Sequence, residues 1–153
     1  MTTVLHVLHL LGAALWLGGT VALVLTGVPV IRTFEGKDRA RALRELGERW
    51  RPIGWASLLG LSVTGLAWAG QIGAFSHDRI HSTWGVLFLI KAGSVAALVV
   101  LAYLHDFVFG PGLARQIRAG EPPTMRPRLV WFGWVSFVLS IFIPVVGVVL
   151  QHI

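Results

Sequence analysis

The sequence predicts an all-α integral membrane protein, a four-helix bundle with both termini outside, and three observations carry that prediction. Of 153 residues, 55% are hydrophobic and 13% charged, and the mean hydropathy of +0.73 lies outside the range of soluble domains. Four apolar runs, residues 4–31, 53–72, 84–109 and 129–150, match or exceed the ~20 residues that a helix needs to cross a ~30 Å hydrocarbon core. Barrel strands would be about ten residues long with alternating polarity, so these runs read as helices. The third observation is where the basic residues fall. Seven (Arg32, Lys37, Arg39, Arg41, Arg44, Arg49, Arg51) separate spans one and two, and four (Arg115, Arg118, Arg126, Arg128) separate spans three and four, against Arg79 alone between spans two and three. The positive-inside rule places the two basic loops in the cytoplasm, and the 71–83 loop with both termini outside.

Span one lacks a basic n-region and a small-residue cleavage pattern and runs well past the length of a signal h-region, so it reads as a retained span. It holds His6, His9 and Trp16, the last two one heptad apart on nearly one helix face. The following segment, 38–50, places Leu43, Leu46 and Trp50 at i, i+3, i+7, with Arg41/Glu45, Arg44/Glu48 and Glu45/Arg49 at i+4 spacing. That pattern reads either as a short amphipathic helix on the cytoplasmic membrane surface or as a solvated, charged connector.

Span two repeats small residues at Ala56, Gly60 and Thr64, span three at Gly93 and Ala97, and span four at Ser136 and Ser140. Such rows let helices approach closely. Pro144 frees the carbonyl of Ser140 and predicts a kink. The connection 110–128, with Gly110, Pro111, Gly112, Gly120, Pro122, Pro123 and Pro127, reads as turn-rich around a short basic segment. Trp50, Trp55, Trp131 and Trp134 mark the cytoplasmic ends of the spans, and Trp68 and Trp84 the outer ends. No internal repeat is evident and neither basic loop has room for a soluble domain, so residues 1–153 read as one four-span membrane domain, expected in a bacterial inner (plasma) membrane.

A sequence pI near 11.4 invites a nucleic-acid reading, but the basic residues sit where topology signals belong and are accompanied by acids, so nucleic acid is not an expected partner. Five of the six histidines, His6, His9, His77, His81 and His152, gather at the outer mouth. His6/His9 (i+3) and His77/His81 (i+4) are spaced to put both rings on one helical face, and these four are the candidate metal ligands. Imidazole is a borderline donor, and with no Cys and only Met1 and Met125 the chain offers few soft ligands beside it.

Lys91 is the strongest single signal. It lies within span three at about the depth of His9 in span one, where a lysine costs roughly 2.5–3.5 kcal/mol to insert, and such residues mark functional sites. Heptad spacing puts Lys91, Leu98 and His105 on one stripe of span three, with His105 and Asp106 near its cytoplasmic end. The alternative reading of His105 is simple pairing with Asp106 at a helix end.

Several stretches carry a family resemblance: LHLLGAALWLGG (8–19), Arg49-Trp50, Thr64-Gly65, and STWGVLFLIKAGSVAALVVLAYLHD (82–106). Across residues 5–113 they resemble the copper-resistance D (CopD-like) membrane family, which implies copper uptake, sequestration or delivery, with a copper-carrier or redox protein as partner. At His9, Trp16, Lys91 and His105 the chain is also similar to HemJ-type protoporphyrinogen oxidases. That similarity implies haem b bound by these four residues, with His9 or His105 on the iron and Lys91 on a propionate, and a haem-dependent oxidoreductase. A third reading is a non-catalytic accessory membrane subunit.

Overall fold

The computed structural model describes residues 2–119, 121–122 and 124–152; Gly120 and Pro123 of the turn-rich connection lie outside them. The described residues are helical almost throughout and contain no strand. Four helical stretches among them, Thr3–Arg32, Gly36–Gln71, Thr83–Gln116 and Arg126–Val149, are long and apolar enough to cross a membrane. The chain divides into two compact units, Met1–Val86 and Leu87–Ile153.

In the first unit, α1 (Thr2–Ala22) passes through a π-helical segment (Leu23–Gly27) into α2 (Val28–Arg32), and α3 (Gly36–Gln71) returns antiparallel to α1. The register is read from contacts that run in opposite order along the two helices. His6 meets Trp68 edge-on, and His9 meets Thr64. A Cβ on Gly12 would stand 3.2 Å from Leu61 Cγ, and Trp16 lies beside Trp50 with ring centroids 6.3 Å apart. Gly19 lies against the Trp50 ring so closely that a Cβ there would overlap it. Leu58 is buried in this unit, whereas Val4, Leu8, Leu11, Leu15, Leu59, Val63 and Leu66 are exposed. An exposed apolar face of this kind is what a lipid-facing helix presents.

The tight connection between α2 and α3 is closed by Arg39, whose Nε donates to Phe34 O (2.9 Å) and Nη2 to Arg32 O (2.5 Å). These bonds satisfy carbonyls that the end of α2 leaves open. Gly36 supplies the left-handed backbone the turn requires, with φ +49°.

The segment 38–50 is helical and is not a separate element: α3 runs unbroken from Gly36 through Pro52 to Gln71. The exposed pairs Arg41–Glu45 (2.8 Å) and Arg44–Glu48 (3.8 Å) lie along its polar third and support the helix by i,i+4 attraction. Pro52 removes one backbone donor, and the long run of helix formers before it carries the helix across that gap.

Both π-helical segments end two residues before a proline. Val28 N–H bonds to Leu23 O ahead of Pro29, and Gly110 N–H bonds to His105 O ahead of Pro111. A proline ring clashes with the carbonyl four residues back, and widening the turn to i→i−5 moves that carbonyl aside. For this reason Gly110-Pro111-Gly112 is helical rather than a turn. Helix α5 (Thr83–Tyr103), which lies in the second unit from Leu87 onward, continues through the π-helical segment Leu104–Phe109 into α6 (Gly110–Arg118).

Helix α7 (Arg126–Val149) runs antiparallel to α5. It too is continuous, through Pro144, with the Ser140 hydroxyl donating to Ser136 O at 2.7 Å. Gln116 ties α6 to the start of α7: its Nε2 donates to Thr124 Oγ1 (2.7 Å) and its Oε1 accepts from Met125 N–H (3.2 Å).

Candidate functional site

Three of the ionisable or imidazole side chains inside the spans, His9, Lys91 and His105, lie over a glycine of the antiparallel neighbour. A Cβ on Gly65 would stand 3.1 Å from His9 Cε1, one on Gly147 3.0 Å from Lys91 Nζ, and one on Gly133 3.9 Å from His105 Nε2. Lys91 and His105 are fourteen residues apart on α5 and its π-helical extension, and Gly147 and Gly133 fourteen apart on α7. One antiparallel register therefore seats both. These seats are the small residues that matter for close approach in each unit, with Gly54 and Gly65 on the α1-facing side of α3 and Gly133 and Gly147 on α7. Of the row expected at Ala56, Gly60 and Thr64, Thr64 meets α1 at His9, whereas Ala56 and Gly60 are exposed, because the register and not the i+4 repeat alone decides which residues meet α1.

His9 Nδ1 is 3.0 Å from Thr64 Oγ1. About one turn nearer the N-terminus, His6 lies T-shaped on Trp68 with ring centroids 5.7 Å apart, and with Thr3, Val7 and Trp68 it lines an open cavity of about 290 Å³. Trp16 is at the other end of the unit, against Trp50 and Gly54, where it packs the two helices together.

His77 and His81 are on α4 (His77–Ile80) and the residue that ends it. Their rings are 4.5 Å apart between centroids, tilted by 35°. His81 Nδ1 lies 3.0 Å from His77 O. A carbonyl only accepts, so Nδ1 carries the proton and Nε2 carries the lone pair. The loop that presents this pair is held by Arg79, which donates from Nη1 to Ile72 O and lies 4.7 Å over the Trp84 ring. Ser82 Oγ donates to Arg79 O (2.6 Å) and accepts from Gly85 N–H (3.2 Å). Arg79, the one Lys or Arg of the 71–83 loop, is thus a fastening for the histidine pair.

In the second unit, His105 Nδ1 lies 2.9 Å from Asp106 Oδ1, which directs the proton to Nδ1 and turns Nε2 toward Gly133. His152 is exposed beyond α7. The structure therefore brings His77 to His81, sets His6 and His9 on one side of α1 against α3, and sets Lys91 and His105 on one side of α5 against α7. Among the described residues, no group of three or more His, Cys, Asp or Glu side chains comes together in a way that would hold a metal ion.

The seats Gly65, Gly133 and Gly147 and the fastening role of Arg79 escaped sequence reasoning. The equal fourteen-residue spacings of Lys91/His105 and Gly133/Gly147 are the one signal that could have found two of those seats.

These features define a multi-span helical membrane protein with imidazoles near the ends of its spans and a lysine within one of them. The chain belongs to the copper resistance protein D (CopD) family, whose model matches residues 44–150. The match begins within α3 and runs through α7, so it takes in the fourth span, which the motif resemblance left out. Over 131 residues the chain is 27% identical to inner membrane protein YebZ of Escherichia coli K12, covering 86% of this chain and 40% of that protein. It is 29% identical over 142 residues to an uncharacterized protein of Aquifex aeolicus VF5, covering 92% of this chain and 89% of that one. The chain thus spans well under half the length of YebZ. No solved structure matches it.

Proposed function

We propose that this chain handles copper at an inner membrane, binding Cu(II) through imidazoles on the outer face for uptake, sequestration or delivery. Three things support this reading: membership of the copper resistance protein D family, similarity to an inner membrane protein, and the placing of the basic loops. The observation that carries it is the His77–His81 pair. Two exposed imidazoles at i, i+4, rings 4.5 Å apart, with His81 Nε2 bearing its lone pair, form a two-nitrogen chelate that water or a carrier protein's ligands complete. Such an open site suits cargo that must be released. Borderline N-donors without thiolate select Cu(II) over Cu(I). His6 and His9, on the same unit, are the next imidazoles available to the ion.

Titration of the purified, full-length protein with Cu(II) tests the reading. Binding by the native chain is expected, with affinity reduced at least tenfold in the His77→Ala/His81→Ala variant. Unchanged stoichiometry and affinity in that variant would remove the pair from the site.

Haem b is the second reading, favoured by a lysine inside an apolar span, since a cation there attracts a propionate and repels a bare metal ion. The second unit does not fit one haem by itself. Fourteen residues of helix put Lys91 and His105 about 21 Å apart along the axis, farther than one porphyrin reaches from its iron to its propionates. The optical spectrum separates the readings: a Soret band in the purified protein supports haem, and colourless protein that takes up Cu(II) supports copper.

A further inference from the structure

We infer that Thr64 is a positioning residue that fixes the tautomer of His9, so that Nε2 is the nitrogen His9 offers to a metal ion. The number of protons available decides the tautomer. A threonine hydroxyl has one. Thr64 Oγ1 lies 2.7 Å from Gly60 O in the i→i−4 arrangement, with Leu61 O at 3.3 Å sharing the same direction. Both are carbonyls and can only accept, so the hydroxyl proton is committed to the backbone of its own helix. What Oγ1 turns toward His9 is a lone pair. The 3.0 Å contact between Oγ1 and His9 Nδ1 then closes only if the proton is on Nδ1. A neutral imidazole carries one proton, so Nε2 holds the ring's lone pair.

The next residue makes the geometry possible. Gly65 lies under the ring, where a Cβ would stand 3.1 Å from Cε1 and 3.6 Å from Nδ1. With no side chain there, the imidazole lies down on α3 while Thr64 holds one edge. Thr64 and Gly65 thus act together, one as acceptor and the other as floor. Metal-binding histidines in general have their second nitrogen tied in this way, which orients the ring and fixes which nitrogen ligates. Here a hydroxyl already saturated from below does the work that a carboxylate does for His105. A hydrogen bond of this kind biases the tautomer ratio roughly fivefold.

The identity of the ion rests on the copper reading above, whereas the tautomer does not and is measurable without metal. Full-length protein labelled with ¹⁵N-histidine, metal-free in lipid bilayers at pH 8, is examined by solid-state NMR, with the His9 signals assigned by their loss in His9→Ala. The native protein is expected to show His9 protonated at Nδ1 and unprotonated at Nε2. Thr64→Val, which keeps the shape and removes the acceptor, is expected to lower the ratio of Nδ1-protonated to Nε2-protonated His9 about fivefold, and Thr64→Ser to restore it. A native His9 protonated at Nε2 overturns the inference even if Thr64→Val fails to fold, and so does a tautomer ratio unmoved by Thr64→Val. Failure of the protein to bind Cu(II) alongside the expected tautomer would remove the copper reading and leave this assignment standing.

Discussion

The ammonium of Lys91 stands 3.0 Å from the point at which a side chain on Gly147 would begin. The glycine on α7 makes the room that the lysine head occupies inside an apolar helix. A charge held there costs roughly 2.5–3.5 kcal/mol, so the fold gains nothing from it. Lys91→Met, which keeps most of the stem, should leave thermal stability in detergent unchanged or raise it. On the copper reading it should also leave Cu(II) affinity intact or increase it, because a repelling cation has gone. A variant that unfolds more readily, or that loses copper, would show the lysine to be part of the fold or of the site.

Gly19 and Trp50 predict the reverse kind of sensitivity. A Cβ on Gly19 would overlap the Trp50 ring, and one on Gly54 would stand 3.1 Å from Trp50 Nε1, so the indole is clamped between two glycines. Overpacking of this sort costs about 1–3 kcal/mol. Gly19→Ala should therefore lower the unfolding midpoint, and Trp50→Leu in the same chain should relieve part of the loss. The coupling appears as non-additivity in a double-mutant cycle. Strictly additive effects would mean that the two residues do not meet.

The basic loops predict which side of the membrane each loop faces. A cysteine at Lys37 should be shielded from an impermeant thiol reagent in intact cells, and one at Ser76 should react. Lys37 is the better probe than its neighbour Gly36, whose φ of +49° a side chain would strain. Both positions are exposed, so burial does not confuse the comparison. The opposite labelling pattern would put the histidine pair on the cytoplasmic side.

Much of this was legible in the sequence, and the rest depended on register. Four spans follow from length and hydropathy, because a helix in lipid must be about twenty apolar residues long. His77/His81 follows from i+4 spacing alone. Gly110-Pro111-Gly112 did not read as helix, since proline and glycine mark turns in most settings; the π-helical segment before Pro111 is what absorbs the clash, and no residue type announces it. The expected break between the charged 38–50 segment and span two is absent because α3 runs on through Pro52, carried by the run of helix formers before it. Thr64, Gly65, Gly133 and Gly147 acquire their roles only when one helix is laid against another. Sequence periodicity shows which residues share a face and says nothing of what faces them.

Copper affinity should fall as the pH is lowered through the range in which histidines take up a proton. Metal and proton compete for the same nitrogen lone pair, and the ion must displace protons to bind. Binding is thus strongest above that range and weakens below it. With two imidazoles engaged, the loss should approach about 100-fold per pH unit once both are protonated, against about tenfold if one is engaged. Equilibrium titrations at a series of pH values read this slope, and a flat profile would mean that carboxylates or backbone groups hold the ion.

The claim that His77 and His81 hold Cu(II) together is tested most directly by electron paramagnetic resonance of the copper-loaded, full-length protein. The account predicts a spectrum in which the native chain shows coupling of the copper to imidazole nitrogens, and in which this coupling is lost from the His77→Ala/His81→Ala variant. A copper signal with the same nitrogen coupling in that double variant would contradict it.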